Sequence, residues 1–262
     1  MGKHRWWWIS GALIAWAAAA QAELGASLRI APGQRQSTTE LMGPDNQRMQ
    51  KDMALHPALF SVMQGQTLWD KDPPNQQPSC AGCHQSPDRL RGVAARYPRI
   101  DEGQLTTLED RINRCRSRHQ KLQPYAPESA EVLALAALLG LQSRGAALQI
   151  DLTPTTRQQA QRGEKLFNTR MGQLNLSCAH CHEERAGLLL GGVVIPQGHP
   201  TGYPIYRLEW QSVGSLQRRL RNCMIGMRAT PYAFGAEELK QLELFLQFRA
   251  RGMEVETPAI RP

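Results

Sequence analysis

The chain has 262 residues, and its 31 lysine and arginine residues outnumber its 23 aspartate and glutamate residues to give a formal net charge of +8. The arginines are scattered and only 6% of the residues are aromatic, so this charge does not indicate nucleic-acid binding. A basic surface instead favours anionic substrates and acidic partner proteins.

The N-terminal segment has the pattern of a secretory signal peptide. Lys3 and Arg5 precede an apolar run over residues 6–20, and Ala20-Gln21-Ala22 is a small-x-small cleavage site. The run is short for a membrane span, which takes about 20 residues, so we expect cleavage before Glu23 and no span in the mature chain. Removal of residues 1–22 takes away two basic residues and lowers the charge to +6. We therefore expect a periplasmic protein of a Gram-negative bacterium.

The first half of the chain contains a haem attachment motif. Residues 23–48 are predicted to form a loose N-terminal extension that wraps around the body of the protein or a partner. Further on, Gly65-x-x-Leu68-Trp69 precedes the pentapeptide Cys80-Ala-Gly-Cys83-His84. Two cysteines that form thioether bonds to a porphyrin, followed by a histidine that ligates its iron, mark c-type haem attachment. This motif assigns Cys80 and Cys83 to covalent attachment and His84 to the iron.

The same elements recur in the second half. Gly163-Glu-Lys-Leu166-Phe167 precedes Cys178-Ala-His-Cys181-His182, and both elements lie 98 residues after their counterparts. The second motif predicts a second haem c, attached through Cys178 and Cys181 and ligated by His182. An internal duplication explains the constant offset more simply than coincidence.

Two further pairs of segments extend the repeat. Leu108-x-x-Arg111-Ile112-x-x-Cys115 matches Leu216-x-x-Arg219-Leu220-x-x-Cys223 at an offset of 108 residues. Each half then ends in an apolar segment of helical character, Ala130–Gln142 in the first and Glu237–Phe248 in the second. The repeat therefore covers almost the whole mature chain.

These patterns predict a mainly α fold of two tandem cytochrome c-like domains that arose by internal duplication. The first domain is assigned to residues 49–149, a linker to 150–157 and the second domain to 158–262. The increase in offset predicts about ten inserted residues, which we place in the Gly/Pro-rich stretch 191–204. Strand signals are weak throughout.

Two cysteines remain after four are assigned to haem attachment. Cys115 and Cys223 occupy the position at which an ordinary cytochrome c offers a distal methionine. A thiolate is an axial haem ligand that donates electron density to iron. We therefore predict iron ligation by His84 and Cys115 at the first haem and by His182 and Cys223 at the second.

Other arrangements of these side chains stay open. An oxidising compartment permits a disulfide between Cys115 and Cys223. Met224 and Met227 lie close to Cys223 in the sequence, and His119 follows Cys115 by four residues, so each is an alternative distal ligand. Since both halves share the cysteine and only the second has nearby methionines, cysteine ligation is preferred at both.

Arginines surround the second distal cysteine. Arg219 lies four residues before Cys223, so on a helix its guanidinium lies on the same face, where it favours the thiolate and holds an oxyanion. Arg111 has the same relation to Cys115, which makes pairing with a haem propionate the alternative. Arg228 has no counterpart, because Gln120 occupies the matching position. We predict that Arg219 and Arg228 bind substrate at the second haem.

The chain resembles the SoxA family over residues 49–253. The resemblance is carried by the two haem motifs, the paired distal cysteines and the segment Arg219-Leu-Arg-Asn-Cys223-Met-Ile-Gly-Met-Arg228. SoxA is the dihaem subunit of the SoxAX cytochrome of bacterial thiosulfate oxidation, an L-cysteine S-thiosulfotransferase. The resemblance implies a heterodimer with a SoxX-like monohaem cytochrome c. It implies oxidative conjugation of thiosulfate to a cysteine of a SoxYZ-like carrier, with two electrons passed to a downstream cytochrome c. It makes Cys223 the catalytic cysteine.

Two other functions stay open. A dihaem thiosulfate dehydrogenase would couple two thiosulfates to tetrathionate without a protein substrate. A plain electron-transfer cytochrome would need no oxyanion pocket. Tetrathionate as the main product would favour the first, and a distal methionine at both irons would favour the second.

Overall fold

The computed structural model describes residues 23–25 and 28–261. The predicted signal peptide, residues 1–22, lies outside the described residues. Within them, helices predominate and the strands are short, which confirms the mainly α class. No helix in the part of the chain that is described is long and apolar enough to cross a membrane.

Helices and short strands follow in the same order in the two halves of the chain. The helices are α1 Pro44–Lys51, α2 Leu59–Asp70, α3 Cys80–His84, α4 Leu108–Arg118, α5 Ala130–Leu141, α6 Pro154–Asn168, α7 Cys178–His182, α8 Leu216–Gly226 and α9 Glu237–Arg249. The strands are β1 Arg99–Asp101, β2 Gln104–Thr106, β3 Leu189–Leu190, β4 Val193–Val194, β5 Ile205–Arg207, β6 Ser212–Gly214 and β7 Ala259–Arg261. The order α2-α3-β1-β2-α4-α5 recurs as α6-α7-β5-β6-α8-α9, as the duplication predicts.

Each half is built on the crossing of two helices, α2 with α5 and α6 with α9. A glycine lies at each crossing: a Cβ on Gly65 would collide with the carbonyl oxygen of Ala134, and a Cβ on Gly163 with that of Gln241. These are the glycines of the repeated Gly-x-x-Leu-aromatic element. The element recurs because the two helix backbones touch there and leave no room for a side chain.

The helices α5 and α9 form the centres of the two domains. Residues 132–140 of α5 are all buried, as expected for a helix that is apolar on every side. On α9, burial extends to Gln241, Glu243 and Arg249, which are polar. The second-domain core also takes in Leu105 from β2 of the first domain, so the two domains pack directly against each other.

The strands form small sheets beside the haem motifs. β1 pairs with β2, β3 pairs with β4, and β5 lies between antiparallel β6 and parallel β7. Each strand has only two or three residues, too few to show an alternating pattern in the sequence, which explains the weak strand signals.

The inserted residues of the second half lie in two places. The offset between the halves is 98 at the haem motifs, 106 at β1 and β5, and 108 at α4 and α8. Eight residues are therefore gained before β5, in the segment that contains the β3–β4 hairpin, and two more lengthen the β5–β6 turn.

The described part of the N-terminal extension lies on the second domain. The Ser37 hydroxyl donates to a carboxylate oxygen of Glu256 at 2.8 Å, and Arg261 donates to the Thr39 hydroxyl at 3.2 Å. The backbone carbonyl of Gln36 is 3.0 Å from Nδ1 of His199. The extension therefore covers the loop that follows the second haem motif.

The segment interpreted as a linker is partly helical. α6 begins at Pro154, inside residues 150–157, because the Thr153 hydroxyl caps the helix and proline suits its first position. Ile150 and Leu152 pack against the second-domain core. The connection between the domains is thus a packed segment.

A buried glutamate, Glu243, and a half-buried one, Glu109, lie where the two domains meet. Both line the same cavity between the domains, and Oε1 of Glu243 has no hydrogen-bond partner among the described residues. Burial raises the pKa of Glu243 well above its ordinary value, and the carboxylates of Glu109 and Asp110 raise it further, whereas a Gln217 hydrogen bond and the Lys240 charge act in the opposite direction. Burial and the neighbouring carboxylates therefore favour the protonated form of Glu243.

This pKa predicts a pH-dependent gain of stability in Glu243→Gln. The folded chain retains a proton that the unfolded chain releases above its pKa of about 4.5, so glutamate destabilises the fold increasingly from there to neutral pH. The free energy of unfolding of the variant should exceed that of the wild type at pH 7, and the excess should vanish below pH 4. A gain of about 1 kcal/mol corresponds to about 2–4 °C in Tm. Thermal unfolding from pH 3 to 8, with exposed Glu237→Gln as control, measures it, and a pH-independent difference would contradict the assignment.

Substitution of the crossing glycine should destabilise the second domain. A methyl group in Gly163→Ala forces α6 and α9 apart, at a cost of about 1–3 kcal/mol or more. Chemical denaturation measures the loss. Gly33→Ala, where a Cβ would meet nothing within 4 Å, should be nearly neutral. Equal effects of the two substitutions would refute the steric explanation.

Candidate functional site

The second haem motif forms the single helical turn α7. The Ser177 hydroxyl lies 2.6 Å from Nδ1 of His180, and the Ser177 backbone N–H donates to the same nitrogen at 3.0 Å, in a capping box. His180 therefore caps the turn. Cys178, Cys181 and His182 project from one turn, as thioether attachment beside an axial imidazole requires.

The ring of His182 is held by the loop that follows β4. Its Nδ1 lies 2.7 Å from the carbonyl oxygen of Pro196, so Nδ1–H donates to that carbonyl and Nε2 keeps a free lone pair. A Cβ on Gly198 would lie 3.1 Å from the ring, so the loop reaches this position only with glycine there. The loop fixes both the tautomer and the orientation of the predicted iron ligand.

A buried ion pair supports this loop. Arg249 and Glu183 form an ion pair whose side chains are only 2% and 3% exposed. Arg249 also donates to the carbonyl oxygen of Gln197 at 3.0 Å, and its guanidinium lies 4.5 Å above the ring of Phe167. The last turn of α9 thus connects the residue after His182 to the loop that orients His182.

The sulfur of Cys223 faces His182. Burial alone would raise the pKa of Cys223, but the neighbouring His182 and the positive charges of Arg219 and Arg207 outweigh it, so the pKa lies below its ordinary value. The structure therefore brings His182, Cys223 and Arg219 together and favours the thiolate.

The neighbouring thiols and one tyrosine at this site have raised pKa values, unlike Cys223. Burial, followed by the charge of Cys223, raises the pKa of Cys178 to about 12, and the same two causes raise the pKa of Cys181. Burial also raises the pKa of Tyr203 to about 12. Among the three cysteines of the second site, the surroundings therefore favour the thiolate form only at Cys223.

The predicted residues of the first site also come together. α3 is capped by the Ser79 hydroxyl, and the Trp69 ring centroid lies 5.8 Å from that of His84. Burial, followed by the charge of Cys115, raises the pKa of Cys80, which places Cys115 beside the motif of its own half. No backbone carbonyl bonds to the His84 ring among the described residues, so this imidazole lacks the support that Pro196 gives His182.

The alternatives to cysteine ligation are not favoured. All six cysteines are unbridged, which does not support a Cys115–Cys223 disulfide. Met224 and Met227 are buried in the second-domain core, and His119 is exposed at the end of α4. The assignment of Cys115 and Cys223 as distal ligands stays a prediction, which this geometry supports.

The two predicted substrate-binding arginines lie in different surroundings. The charge of Arg219 acts on the Cys223 sulfur. Arg228 is exposed in a left-handed turn, with φ of 56°, because α8 ends at Gly226 and the chain reverses there. The structure brings Arg219 to the sulfur and leaves Arg228 at the surface, so a substrate-binding role for Arg228 stays a prediction.

Three residues near the second site were not predicted from the sequence: Arg207, Tyr203 and Pro196. Arg207 lies in β5 and Tyr203 just before it, both near Cys223, and the carbonyl of Pro196 orients His182. One signal for β5 was present: the Tyr-Pro dipeptides at 97–98 and 203–204 repeat at an offset of 106 and align the two strands.

The residues present fit a c-type haem at both sites. The second site offers two cysteines and a histidine on one turn, an imidazole with its Nδ1 already bonded, and a facing thiolate. The first site has the same residues with a less supported histidine.

The comparisons with known proteins agree with this assignment. The family model "SoxA/TsdA, cytochrome c domain" matches residues 64–148 and 162–255. The L-cysteine S-thiosulfotransferase subunit SoxA of Paracoccus pantotrophus is 33% identical over 215 residues, which cover 81% of this chain and 74% of the relative. The subunit of the same name from Chlorobaculum tepidum is 33% identical over 223 residues, 83% and 76% of the two chains. The crystal structure of SoxXA from P. pantotrophus matches with a TM-score of 0.84 and 31% identity over 87% of each chain.

Loss of the buried guanidinium should weaken the second domain. Arg249→Met leaves Glu183 as an unpaired buried charge, so we expect a loss of about 3–5 kcal/mol in the free energy of unfolding. The double variant Arg249→Met/Glu183→Gln should recover most of it. Chemical denaturation measures both, with exposed Arg251→Met as control. A double variant no more stable than Arg249→Met would show that the ion pair is not the cause.

Proposed function

This chain belongs to the SoxA family of cytochromes c, and we propose that it oxidatively conjugates thiosulfate to a cysteine of a carrier protein, as the haem subunit of an L-cysteine S-thiosulfotransferase. The family match and the names of the relatives support the activity. The observation that carries the proposal is the placement of the Cys223 sulfur against His182 and beside Arg219.

The reaction forms one sulfur–sulfur bond. The sulfane sulfur of thiosulfate joins the carrier cysteine sulfur, the thiol proton is released, and two electrons leave for a downstream cytochrome c. The product is a cysteine S-thiosulfonate, and no bond within thiosulfate breaks. The carrier is SoxYZ-like, as the name of the activity implies.

Two haems c per chain are the cofactors of this proposal. Thioether attachment is assigned to Cys80, Cys83, Cys178 and Cys181. His84 with Cys115 and His182 with Cys223 would ligate the two irons. A haem held there would supply an acceptor for the electrons withdrawn from sulfur.

The residues of the second site have separate roles. Arg219 draws the thiosulfate dianion to the site and orients its oxygens. The pKa of Cys223 lies below the usual value because of His182 and Arg219, so its sulfur is available as the catalytic thiolate. The Pro196 carbonyl keeps the Nδ1 proton of His182 in place.

The partner and the compartment follow from separate evidence. The similarity to SoxXA supports a heterodimer with a SoxX-like monohaem cytochrome c. The signal-peptide pattern of residues 1–22 supports export to the periplasm, where c-type cytochromes are assembled.

Replacement of the catalytic sulfur should abolish conjugation. In the purified holocomplex, Cys223→Ser should lower S-thiosulfonate formation on the carrier by more than about 10³-fold, as expected for loss of a nucleophile. Mass spectrometry of the carrier cysteine measures product. Cys115→Ser, the same change at the first site, should lose far less.

The control for this variant is retention of both haems, shown by haem stain and pyridine haemochrome. Full activity in Cys223→Ser would exclude participation of this sulfur. Tetrathionate as the main wild-type product would instead favour a thiosulfate dehydrogenase.

A further inference from the structure

The duplicated strands β1 and β5 can be aligned residue by residue. Each follows a cis Tyr-Pro bond, at 97–98 and 203–204, and each pairs with the next strand in an antiparallel turn. In this alignment Asp101 of the first domain is equivalent to Arg207 of the second. The two domains therefore carry opposite charges at the same position beside the distal cysteine helix.

In the first domain this position neutralises the arginines of α4. Oδ2 of Asp101 accepts from Nη1 of Arg111 at 3.3 Å and from Nη1 of Arg114 at 3.1 Å. Arg111 is the counterpart of Arg219. The guanidinium one turn before Cys115 is thus already engaged by a carboxylate.

In the second domain Arg207 takes the place of this carboxylate. Arg219 forms no ion pair with a carboxylate among the described residues, and its positive charge adds to burial in lowering the pKa of Arg207. The position equivalent to Arg114 is Asn222. The cluster of Asp101 with two arginines in the first domain therefore corresponds, in the second, to two arginines, Arg207 and Arg219, near the sulfur of Cys223.

The guanidinium of Arg207 forms an ion pair through one nitrogen and lacks a hydrogen bond at another. Its Nη2 lies 2.7 Å from Oε2 of the mostly exposed Glu209, and the side chain is only 14% exposed. Its buried Nε has no hydrogen-bond partner within residues 23–25 and 28–261. A buried N–H without an acceptor costs about 1–3 kcal/mol, and an anion between two guanidiniums would relieve both this cost and their repulsion.

We propose that Arg207 is a second substrate-binding residue at Cys223, which together with Arg219 holds the oxygens of the thiosulfate dianion. The inference rests on the proposed function and adds a residue to it. Under this proposal only one of the two duplicated sites binds an anion, because Asp101 occupies the equivalent place in the other.

The test compares the wild-type holocomplex with Arg207→Gln, Arg207→Lys and Arg207→Asp. Loss of a charged hydrogen bond should raise KM for thiosulfate and the calorimetric Kd for thiosulfate without carrier by about 10- to 100-fold in Arg207→Gln, with kcat changed less than about threefold. Arg207→Lys should recover part of the affinity. Arg207→Asp, which copies the first site, should bind worst.

Two further variants test whether the positive charge of Arg207 causes the effect. Glu209 is the only carboxylate paired with Arg207 in the part of the chain that is described, and Glu209→Gln should lower Kd, the opposite direction from Arg207→Gln. Arg251→Gln makes the same change of net charge on an exposed residue and should alter neither constant beyond twofold.

The outcomes separate this inference from the proposed function. A wild-type complex that binds thiosulfate but forms no S-thiosulfonate contradicts the proposed function alone. An active wild type with unchanged Kd and KM in Arg207→Gln overturns the role of Arg207. A fall in kcat at constant KM, or a shifted haem spectrum at constant Kd, would assign Arg207 to haem support and also overturn it.

Discussion

The chemistry of the second domain depends on one hydrogen bond, from Nδ1–H of His182 to the carbonyl of Pro196 at 2.7 Å. This bond sets the tautomer, so that Nε2 faces the sulfur of Cys223. The bond in turn depends on the loop, which Gly198 allows to approach the ring and which Arg249 holds through Gln197. Contacts within the protein thus fix the position of the histidine ring, as metal sites generally require.

The duplication gave two domains with similar helical frameworks, and the charged side chains at their sites differ. The glycine crossings of α2 with α5 and α6 with α9 keep the framework of each domain the same. The differences are concentrated beside the distal cysteines, where a carboxylate compensates the arginines of one domain and an arginine adds to the charge of the other. Function on a shared fold therefore follows from a few side chains at the site.

Much of this arrangement could be predicted from the sequence. The haem motifs, the terminal helices and the distal cysteines have fixed local spacing, and the structure places them as that spacing implies. Pro196 and Arg207 were missed because they act through loops and three-residue strands, whose contacts depend on tertiary folding. The burial of Glu243 was missed for a related reason: one side of α9 is covered by the first domain, which no periodicity within α9 reveals.

The central claim is that His182 and the Cys223 thiolate would both ligate the iron of a haem c at the second site. Near-infrared magnetic circular dichroism of the oxidised holoprotein tests it most directly, because the charge-transfer band reports the axial ligand pair. The account predicts histidine–thiolate ligation and the loss of one such signal when position 223 carries serine. A histidine–methionine band from the second haem, or a spectrum unchanged by the substitution, would contradict it.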